Sequence, residues 1–434
     1  MSNLAELSRT LFFPWTFLLY IAATVAYLFH TAYASVDGEE ADRSRVGALA
    51  GRVGAALALA GIGLHLASVV LRGVSAGARI PWANMYEYSS VMGLGIVALA
   101  VGLVHWRLRR SELVGFVLLA ALLTMGGAQV LYTPAGGVMP ALQTHWLKIH
   151  TFSVMVSATI FTVAFVFTGL YLIRDLAERR VAAAQESRRA GSTVGAAYAG
   201  PSVADETADT DAERPEGYED DGALPEPSLD LDRGEYGRAL RAAVNPIPMA
   251  ISAAAMTTAY ALLFRNPVAA FVAPTVVALG AVAAWWFLPA LPSAATLDSI
   301  AYRTTAFAFP IWTFGVIAGA VWAEQSWGRY WGWDPKETGA FLTWVAYAGY
   351  LHARATRGLR GRGAAGIGVV AFLLLLFTYY AVNLWVVGLH SYAGTGVDAS
   401  NPPYWGIAGA LGVYGAVKLF ERYGSRTSPG ISRT

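Results

Sequence analysis

The residues best suited to chemistry lie in one stretch, Trp322–Arg354, where aromatic rings, glycines and a carboxylate are closely spaced. Its central members, which we call the Trp loop, are Trp327, Gly328, Trp331, Gly332, Trp333 and Asp334. Apolar segments precede and follow this loop, so we expect it to lie where the chain leaves a membrane and turns back. Tryptophan is common at such an interface, because its ring is apolar and its N–H binds water. The glycines leave no side chains between the rings, which predicts a flat aromatic shelf for a planar ligand.

Histidines recur around this loop. The seven in the chain are His30, His65, His105, His145, His150, His352 and His390. Ionisable side chains are costly inside a membrane, so each is a candidate functional residue. His30 and His105 fall near predicted inner helix ends, where an imidazole can meet headgroups, and His145 shares an outer loop with His150.

His150 begins one apolar segment and His390 ends another, and both should lie level with the Trp loop. Two imidazoles beside an aromatic surface suit six-coordinate haem iron, which takes one ligand on each face. Zinc prefers tetrahedral sites with several ligands and needs no aromatic shelf. Another ligand, or histidines that merely lie at the interface, are alternatives that the residues alone leave open.

His352 lies deeper than the other candidates. Counted from Ala340 at 1.5 Å per residue, it should be about 18 Å below the outer interface. It can act as a ligand within the membrane, or its side chain can extend towards headgroups, as Arg354 follows it. His65, counted back from Arg72, lies only about 10 Å below the outer face. This mismatch favours a partner for His352 from another subunit over His65.

Other outer-loop residues complete the candidate site. Asn84, Tyr86 and Glu87 begin the third predicted span and are expected to face the ligand. Three cations near the Trp loop are candidates to neutralise carboxylates of a ligand: Arg79, Arg329 and Lys336. Asp334 precedes a proline, so it should not be helical and is expected to cap the next helix, alone or with a further role.

The composition predicts an integral membrane protein. The 434 residues are 56% hydrophobic and 14% charged, with a mean hydropathy of +0.45, whereas soluble domains carry about 25% charged residues. A net charge of +2 gives no indication of a nucleic-acid surface. The absence of cysteine excludes disulfides, thiolate catalysis and iron–sulfur ligation within this chain. Nucleotide-binding glycine loops, nucleophile elbows and HExxH motifs are also absent from the sequence.

We predict an all-α fold, a polytopic integral membrane helical bundle with about 8–11 transmembrane helices, since a span needs about 20 apolar residues. The predicted spans are 11–33, 46–71, 84–106, 112–132, 148–173, 247–264, 268–289, 302–323, 339–356, 365–388 and 404–420. Residues 1–174 form an N-terminal membrane half with five helices, and 244–434 form a C-terminal half whose core is 301–396. Between them, 175–243 is acidic and poor in apolar residues, which predicts a disordered cytoplasmic linker.

Arginines cluster on one side of the predicted spans, and that side is expected to be the cytoplasm. They are Arg43, Arg45, Arg52, Arg107, Arg109, Arg110, Arg174, Arg179, Arg180, Arg354, Arg357, Arg360 and Arg362. Alternation of the spans then places the Trp loop, His150 and His390 on the extracytoplasmic face of the plasma membrane.

These residues carry a family resemblance. The run WAEQSWGRYWGWDPKETGAFLTWVAYAGYLHAR resembles the WWD signature of haem-handling membrane proteins. With RIPWANMYEYSS, PALQTHWLKIHTFSV, LPSAATLDSIAYRTTAFAFP and VNLWVVGLHSYAG, the chain resembles the CcsA/ResC family of System II cytochrome c maturation, called CcsB in actinobacteria. The match covers most of the chain except the linker, 244–290 and the last predicted helix. CcmC and CcmF of System I share the signature and are the alternative, and a transporter for a non-haem solute is a further one.

The resemblance implies that haem b is carried across the plasma membrane and presented to apocytochrome c for covalent attachment. It assigns His150 and His390 as outer axial ligands of the iron, His352 as an intramembrane ligand, and Trp327–Asp334 as the WWD surface. It also implies a CcsB/ResB-type membrane partner that supplies the second ligand at His352, and thioredoxin-like thiol reductants. The chain would then be a subunit of a holocytochrome c synthase of the haem lyase type.

Overall fold

The computed structural model describes residues 2–34, 41–137, 143–196, 233–262, 267–356, 361–386 and 388–390, and its regular structure is helical throughout these ranges. The helices are α1 (Ser2–Thr10), α2 (Phe17–Ala34), α3 (Ala41–Ser75), α4 (Met85–Leu99), α5 (Ser111–Val130), α6 (His145–Ala196), α7 (Arg233–Ala243), α8 (Pro246–Ala261), α9 (Pro267–Trp286), α10 (Ala294–Trp327), α11 (Pro335–Ala355), α12 (Arg362–Leu376) and α13 (Val382–Trp385). Short π-helical segments join α1 to α2, extend α4, and join α12 to α13: Leu11–Thr16, Ala100–Arg107 and Phe377–Ala381.

Seven of the described helical segments are long and apolar enough to cross a membrane, which confirms the predicted all-α polytopic bundle. They are Asn3–Tyr33, Arg45–Ser75, Met85–Arg107, Ser111–Val130, His145–Ser187, Ala294–Trp327 and Arg362–Leu384. The other three predicted spans in the described ranges are also helical: α11 has 21 residues but more polar ones, α8 has only 16, and α9 contains the shorter apolar helix Ala270–Trp286. The predicted span 404–420 lies outside the described residues.

The segment predicted to be disordered is helical at both ends. Helix α6 continues to Ala196, and α7 occupies Arg233–Ala243, whereas residues 197–232 lie outside the described ranges. These ends are stabilised by contacts between particular residues, which the overall composition of the segment does not indicate. The Arg179 side chain binds Asp175 one turn earlier at 2.9 Å, and Arg180 donates to the Ala243 carbonyl at 2.9 Å, which joins α6 to α7.

Helices α6 and α10 pack closely at the centre of the bundle, and this contact joins the two predicted membrane halves. A Cβ atom at Gly315 would lie 2.8 Å from Val154 Cγ1, so only glycine allows this approach without a shift. Ser157 Oγ donates to the Ala308 carbonyl at 2.9 Å, and the Phe161 and Tyr347 rings stack at 3.7 Å. Helices α6, α10 and α11 therefore form a fixed frame beneath the Trp loop.

The opposite end of the bundle is held by ion pairs between helices. Asp175 on α6 binds Arg362 at the start of α12 at 2.6 Å. Asp298 on α10 binds Arg354 on α11. Because α11 begins at Pro335 and ends at Ala355, this ionic end and the Trp loop lie at opposite ends of one helix.

Candidate functional site

A cavity of about 690 Å³ opens beside the Trp loop, between α4, α6, α10 and α12. Its walls include His150, His390, Trp331 and Lys336. Pockets that bind cofactors and other small molecules usually measure about 300–1,000 Å³. The cavity thus has the size of a ligand site, and it draws one histidine from each predicted half of the chain.

His150 lies in the second turn of α6 and is held by α10. Its Nδ1 is 2.8 Å from the Gly315 carbonyl oxygen. Since a carbonyl can only accept, Nδ1 carries the proton and Nε2 keeps its lone pair. The ring stacks on Trp322, with centroids 6.2 Å apart and planes 15° apart. A Cβ atom at Gly319 would lie 2.7 Å from His150 Nδ1, so this glycine provides the space for the ring.

His390 is held by Asp334 at the start of α11. His390 Nδ1 lies 2.8 Å from Asp334 Oδ1. Burial, and then the nearby Lys336 ammonium, lower the pKa of His390 to about 4 and outweigh the opposite effect of Asp334. The ring is therefore neutral at pH 7, donates from Nδ1 and keeps the lone pair on Nε2. A carboxylate that orients a histidine in this way is the usual second partner of a metal-binding imidazole.

Asp334 combines this contact with its predicted capping role. Its carboxylate accepts the N–H of Lys336 at 3.0 Å and the N–H of Leu389 at 2.7 Å, and it forms a capping box with Glu337. Burial alone would raise the pKa of Asp334, but these N–H groups and His390 outweigh it and lower the pKa. The residue is an ionised carboxylate that fixes both α11 and His390.

Trp322 connects the two histidines and was not among the predicted site residues. Its ring lies edge-on to His390 with centroids 5.3 Å apart, while His150 stacks on it. Trp327 contacts His390 from another side at 4.8 Å. Trp322 lies at the end of the apolar run of α10, a position that is typical of an ordinary interfacial tryptophan. Only its contacts reveal that it supports both imidazoles.

The three tryptophans of the Trp loop do not form the predicted flat shelf. The rings of Trp331 and Trp333 are perpendicular, at 90°. Trp331 lines the cavity, Trp327 packs behind His390, and Trp333 is 65% exposed with a left-handed φ of 57°. The backbone turns between successive rings, so each ring faces a different direction.

The two glycines of the Trp loop allow these backbone turns, whereas they were predicted to leave a flat surface between the rings. Gly328 ends α10 in the left-handed conformation, with φ of 69°, where glycine is least strained. Gly332 donates its N–H to Glu337 Oε2 at 2.8 Å. A Cβ atom at Gly332 would overlap the Arg329 guanidinium.

The residues predicted at the start of α4 divide between the cavity and the core. Asn84 caps α4, accepting the N–H of Glu87 at 2.9 Å, and it lines the cavity. Tyr86 and Glu87 are buried and do not belong to the described lining of the cavity, which differs from their predicted contact with a ligand. Glu87 instead binds Arg72 at 2.9 Å and Arg79 at 2.7 Å.

The remaining histidines do not join this cavity among the described residues. His352 is exposed in the last turn of α11, about 25 Å along the helix axis from Pro335. His65 is fully buried between Tyr20 and Ser90, and His30 bonds to Gly47 and Ser111. His105 contacts Tyr27, and His145 is exposed at the start of α6. Within the described ranges, no group of three or more histidines, aspartates and glutamates is placed to hold a metal ion.

Residues 82–390 match the family described as cytochrome c assembly protein. The cytochrome c biogenesis protein CcsA of Rippkaea orientalis is 32% identical over 321 residues, which cover 73% of this chain and 81% of the relative. CcsA of Gloeobacter violaceus is 31% identical over 317 residues, covering 72% and 78%. CcsA of Synechococcus elongatus is 53% identical over 102 residues, covering 24% and 31%.

Proposed function

The chain belongs to the cytochrome c assembly protein family and is a multi-pass membrane protein of cytochrome c biogenesis, and on that premise we propose that it binds haem b between His150 and His390. It presents this haem to apocytochrome c for covalent attachment in a System II pathway. The name of its relatives, cytochrome c biogenesis protein CcsA, agrees with System II. Haem is cargo in this proposal: it enters the cavity, is held, and leaves attached to another protein.

One observation carries the proposal. Two neutral imidazoles on the wall of one cavity each donate Nδ1–H to a protein oxygen at 2.8 Å, one to Gly315 and one to Asp334. Each ring is therefore locked in the tautomer that leaves Nε2 free. Six-coordinate haem iron needs two such nitrogens. Trp331 and Trp322, which line the same cavity, supply aromatic surface for the macrocycle.

Haem attachment needs a positioned haem and reduced thiols. Each thioether forms when a substrate S–H adds across a haem vinyl group: the sulfur bonds one carbon, and hydrogen goes to the other. The chain has no cysteine, so both thiols come from apocytochrome c, and thioredoxin-like proteins are the proposed reductants that maintain them. The contribution of this chain is to hold and orient the haem, which lowers the entropic part of the barrier.

The cavity end of the bundle is proposed to face the extracytoplasmic side of the plasma membrane. The opposite end carries Arg174, Arg179, Arg354 and Arg362, as expected for a cytoplasmic surface. His352 lies exposed on α11 near that end. It is the proposed ligand of a second, intramembrane haem whose other ligand comes from a CcsB/ResB-type partner.

The visible spectrum of the purified protein with its partner tests the proposal. We expect the bands of a bis-imidazole haem. His150→Ala and His390→Ala should each convert the outer haem to a five-coordinate species and abolish cytochrome c maturation. His145→Ala is the matched control, because that imidazole is exposed in the same helix and should be dispensable. Colourless protein, or a His150→Ala variant with unchanged spectrum and maturation, would exclude the proposed site and favour a non-haem transporter.

A further inference from the structure

We propose that the cavity selects a tetrapyrrole with two carboxylate groups, and that Lys148 and Lys336 bind those groups. This inference rests on the proposed function, since it concerns how the same cavity distinguishes haem from other planar macrocycles. It differs from the expectation that Arg79 and Arg329 would neutralise the carboxylates of a ligand.

Arg72, Arg79 and Arg329 at this end of the bundle already pair with carboxylates of the protein. Glu87 accepts Arg72 Nε at 2.9 Å and both terminal nitrogens of Arg79 at 2.7 and 2.9 Å. Arg329 faces Glu337 at 3.2 Å and lies over the Trp327 ring. A ligand carboxylate that approached these guanidiniums would have to compete with a carboxylate of the protein. Arg72 and Arg79 share one carboxylate and keep one net positive charge, and Arg79 lines the cavity, but each of these guanidiniums is already held by a partner.

The two lysines differ from the arginines in this respect. Lys148 and Lys336 both line the cavity. Neither has a carboxylate within ion-pair distance in the part of the chain that the structure describes. Asp334 is near Lys336, but its oxygens are taken by His390 and by backbone N–H groups. Lys336 is half-buried, and a half-buried ammonium without a partner favours an anionic ligand.

Part of the cavity wall is apolar and suits an uncharged macrocycle. Met92, Val154, Trp312 and Leu375 belong to this part, whereas the Arg79 and Glu337 side chains in the wall each have a partner of opposite charge. A ligand that matches this surface is planar and apolar, with two anionic groups that reach the lysines. Charge-assisted hydrogen bonds from two ammonium groups would hold the two carboxylates. In haem these groups lie on one edge and the vinyl groups on the opposite edge, so binding the carboxylates also fixes where the vinyl groups lie.

The test compares iron protoporphyrin IX with its dimethyl ester, which keeps the ring, iron and vinyl groups but lacks both charges. Each is titrated into the haem-depleted full chain in one detergent, and the bis-imidazole spectrum is recorded. The ratio of the two affinities cancels effects common to all variants. We expect wild type to prefer the free acid by about tenfold or more. The double variant Lys148→Gln/Lys336→Gln should lose this preference, while Lys148→Arg/Lys336→Arg should retain it.

Arg9→Gln is the charge control. It removes a cation that lies over Tyr132 and does not line the cavity, so it should leave the preference unchanged. If wild type binds acid and ester equally well with a bis-imidazole spectrum, the assignment of the lysines is overturned and the histidine site stands. If the double variant keeps the preference, the assignment is overturned as well. If neither compound gives that spectrum in wild type, the proposed function itself fails.

Discussion

The Asp334 carboxylate and the His390 ring are joined by a hydrogen bond of 2.8 Å between Oδ1 and Nδ1. Asp334 is also the N-cap of α11, the helix whose last turn carries His352. The position of His390 is therefore coupled to the start of that helix. A Cβ atom at Gly388 would lie 2.5 Å from Asp334 Oδ2, which shows how closely the segment before His390 packs against the carboxylate. Helix capping and imidazole orientation depend on one side chain.

Replacing Asp334 by Asn should disrupt His390 without removing a side chain. The carboxylate accepts from Leu389, Lys336 and His390, but an amide has one oxygen and a donating NH₂. Either the NH₂ faces the Leu389 N–H, or it faces His390 Nδ1 and moves the proton to Nε2, where iron must bind. We expect a loss of about 10–100-fold in haem affinity, measured by titration at the bis-imidazole band.

Asp298→Asn is the control for that change, since Asp298 pairs with Arg354 at the other end of the bundle. It should leave the bis-imidazole spectrum of the folded protein intact. An Asp334→Asn protein with wild-type affinity and spectrum would show that the contact does not orient a ligand.

Gly319→Ala should displace His150. A Cβ atom there would lie 2.7 Å from His150 Nδ1 and 2.8 Å from Cε1, closer than van der Waals contact allows. The ring must move and lose its hydrogen bond to Gly315. We expect about tenfold weaker haem binding and a smaller six-coordinate fraction, read from the absorption spectrum. Gly349→Ala, where the added methyl meets no atom within 4 Å, should match wild type, and equal spectra for both variants would contradict the prediction.

Glu87→Gln should destabilise the rim of the cavity. The change leaves the buried Arg72 and the largely buried Arg79 facing a neutral amide. Removing one partner of a buried ion pair costs about 3–5 kcal/mol, which should appear as a lower unfolding midpoint in detergent. Glu112→Gln removes the partner of Arg110, a looser and more exposed pair at 3.6 Å, and should cost less than about 1 kcal/mol. Similar unfolding midpoints for the two variants would disprove the predicted difference between the buried and the exposed ion pairs.

The sequence was sufficient for the helical membrane fold, because apolar run length determines it, and span alternation predicted that His150 and His390 lie at the same end of the bundle. That they line one cavity depends on helix packing. It was insufficient for the Trp loop. The turns at Gly328 and Trp333 depend on positive φ angles, and those point the rings apart. The ion pairs that Arg79 and Arg329 each form with a glutamate were also not predicted, since they depend on which carboxylates are nearby in space. The helical ends of the 175–243 segment depend on contacts that composition does not encode.

Trp331 and Trp333 should have separable roles. Trp331 lines the cavity, so Trp331→Leu should weaken haem binding by about tenfold, since an aromatic contact contributes about 0.5–1.5 kcal/mol beyond its buried area.

Trp333 is 65% exposed and outside the described lining, so Trp333→Leu should keep the wild-type haem content. Its ring is held outward by a strained left-handed backbone, a feature that often marks functional positions. We therefore expect Trp333→Leu to lower cytochrome c maturation while the purified protein retains its bis-imidazole spectrum. Maturation and haem content that stay at wild-type levels in both variants would reduce these tryptophans to interfacial anchors.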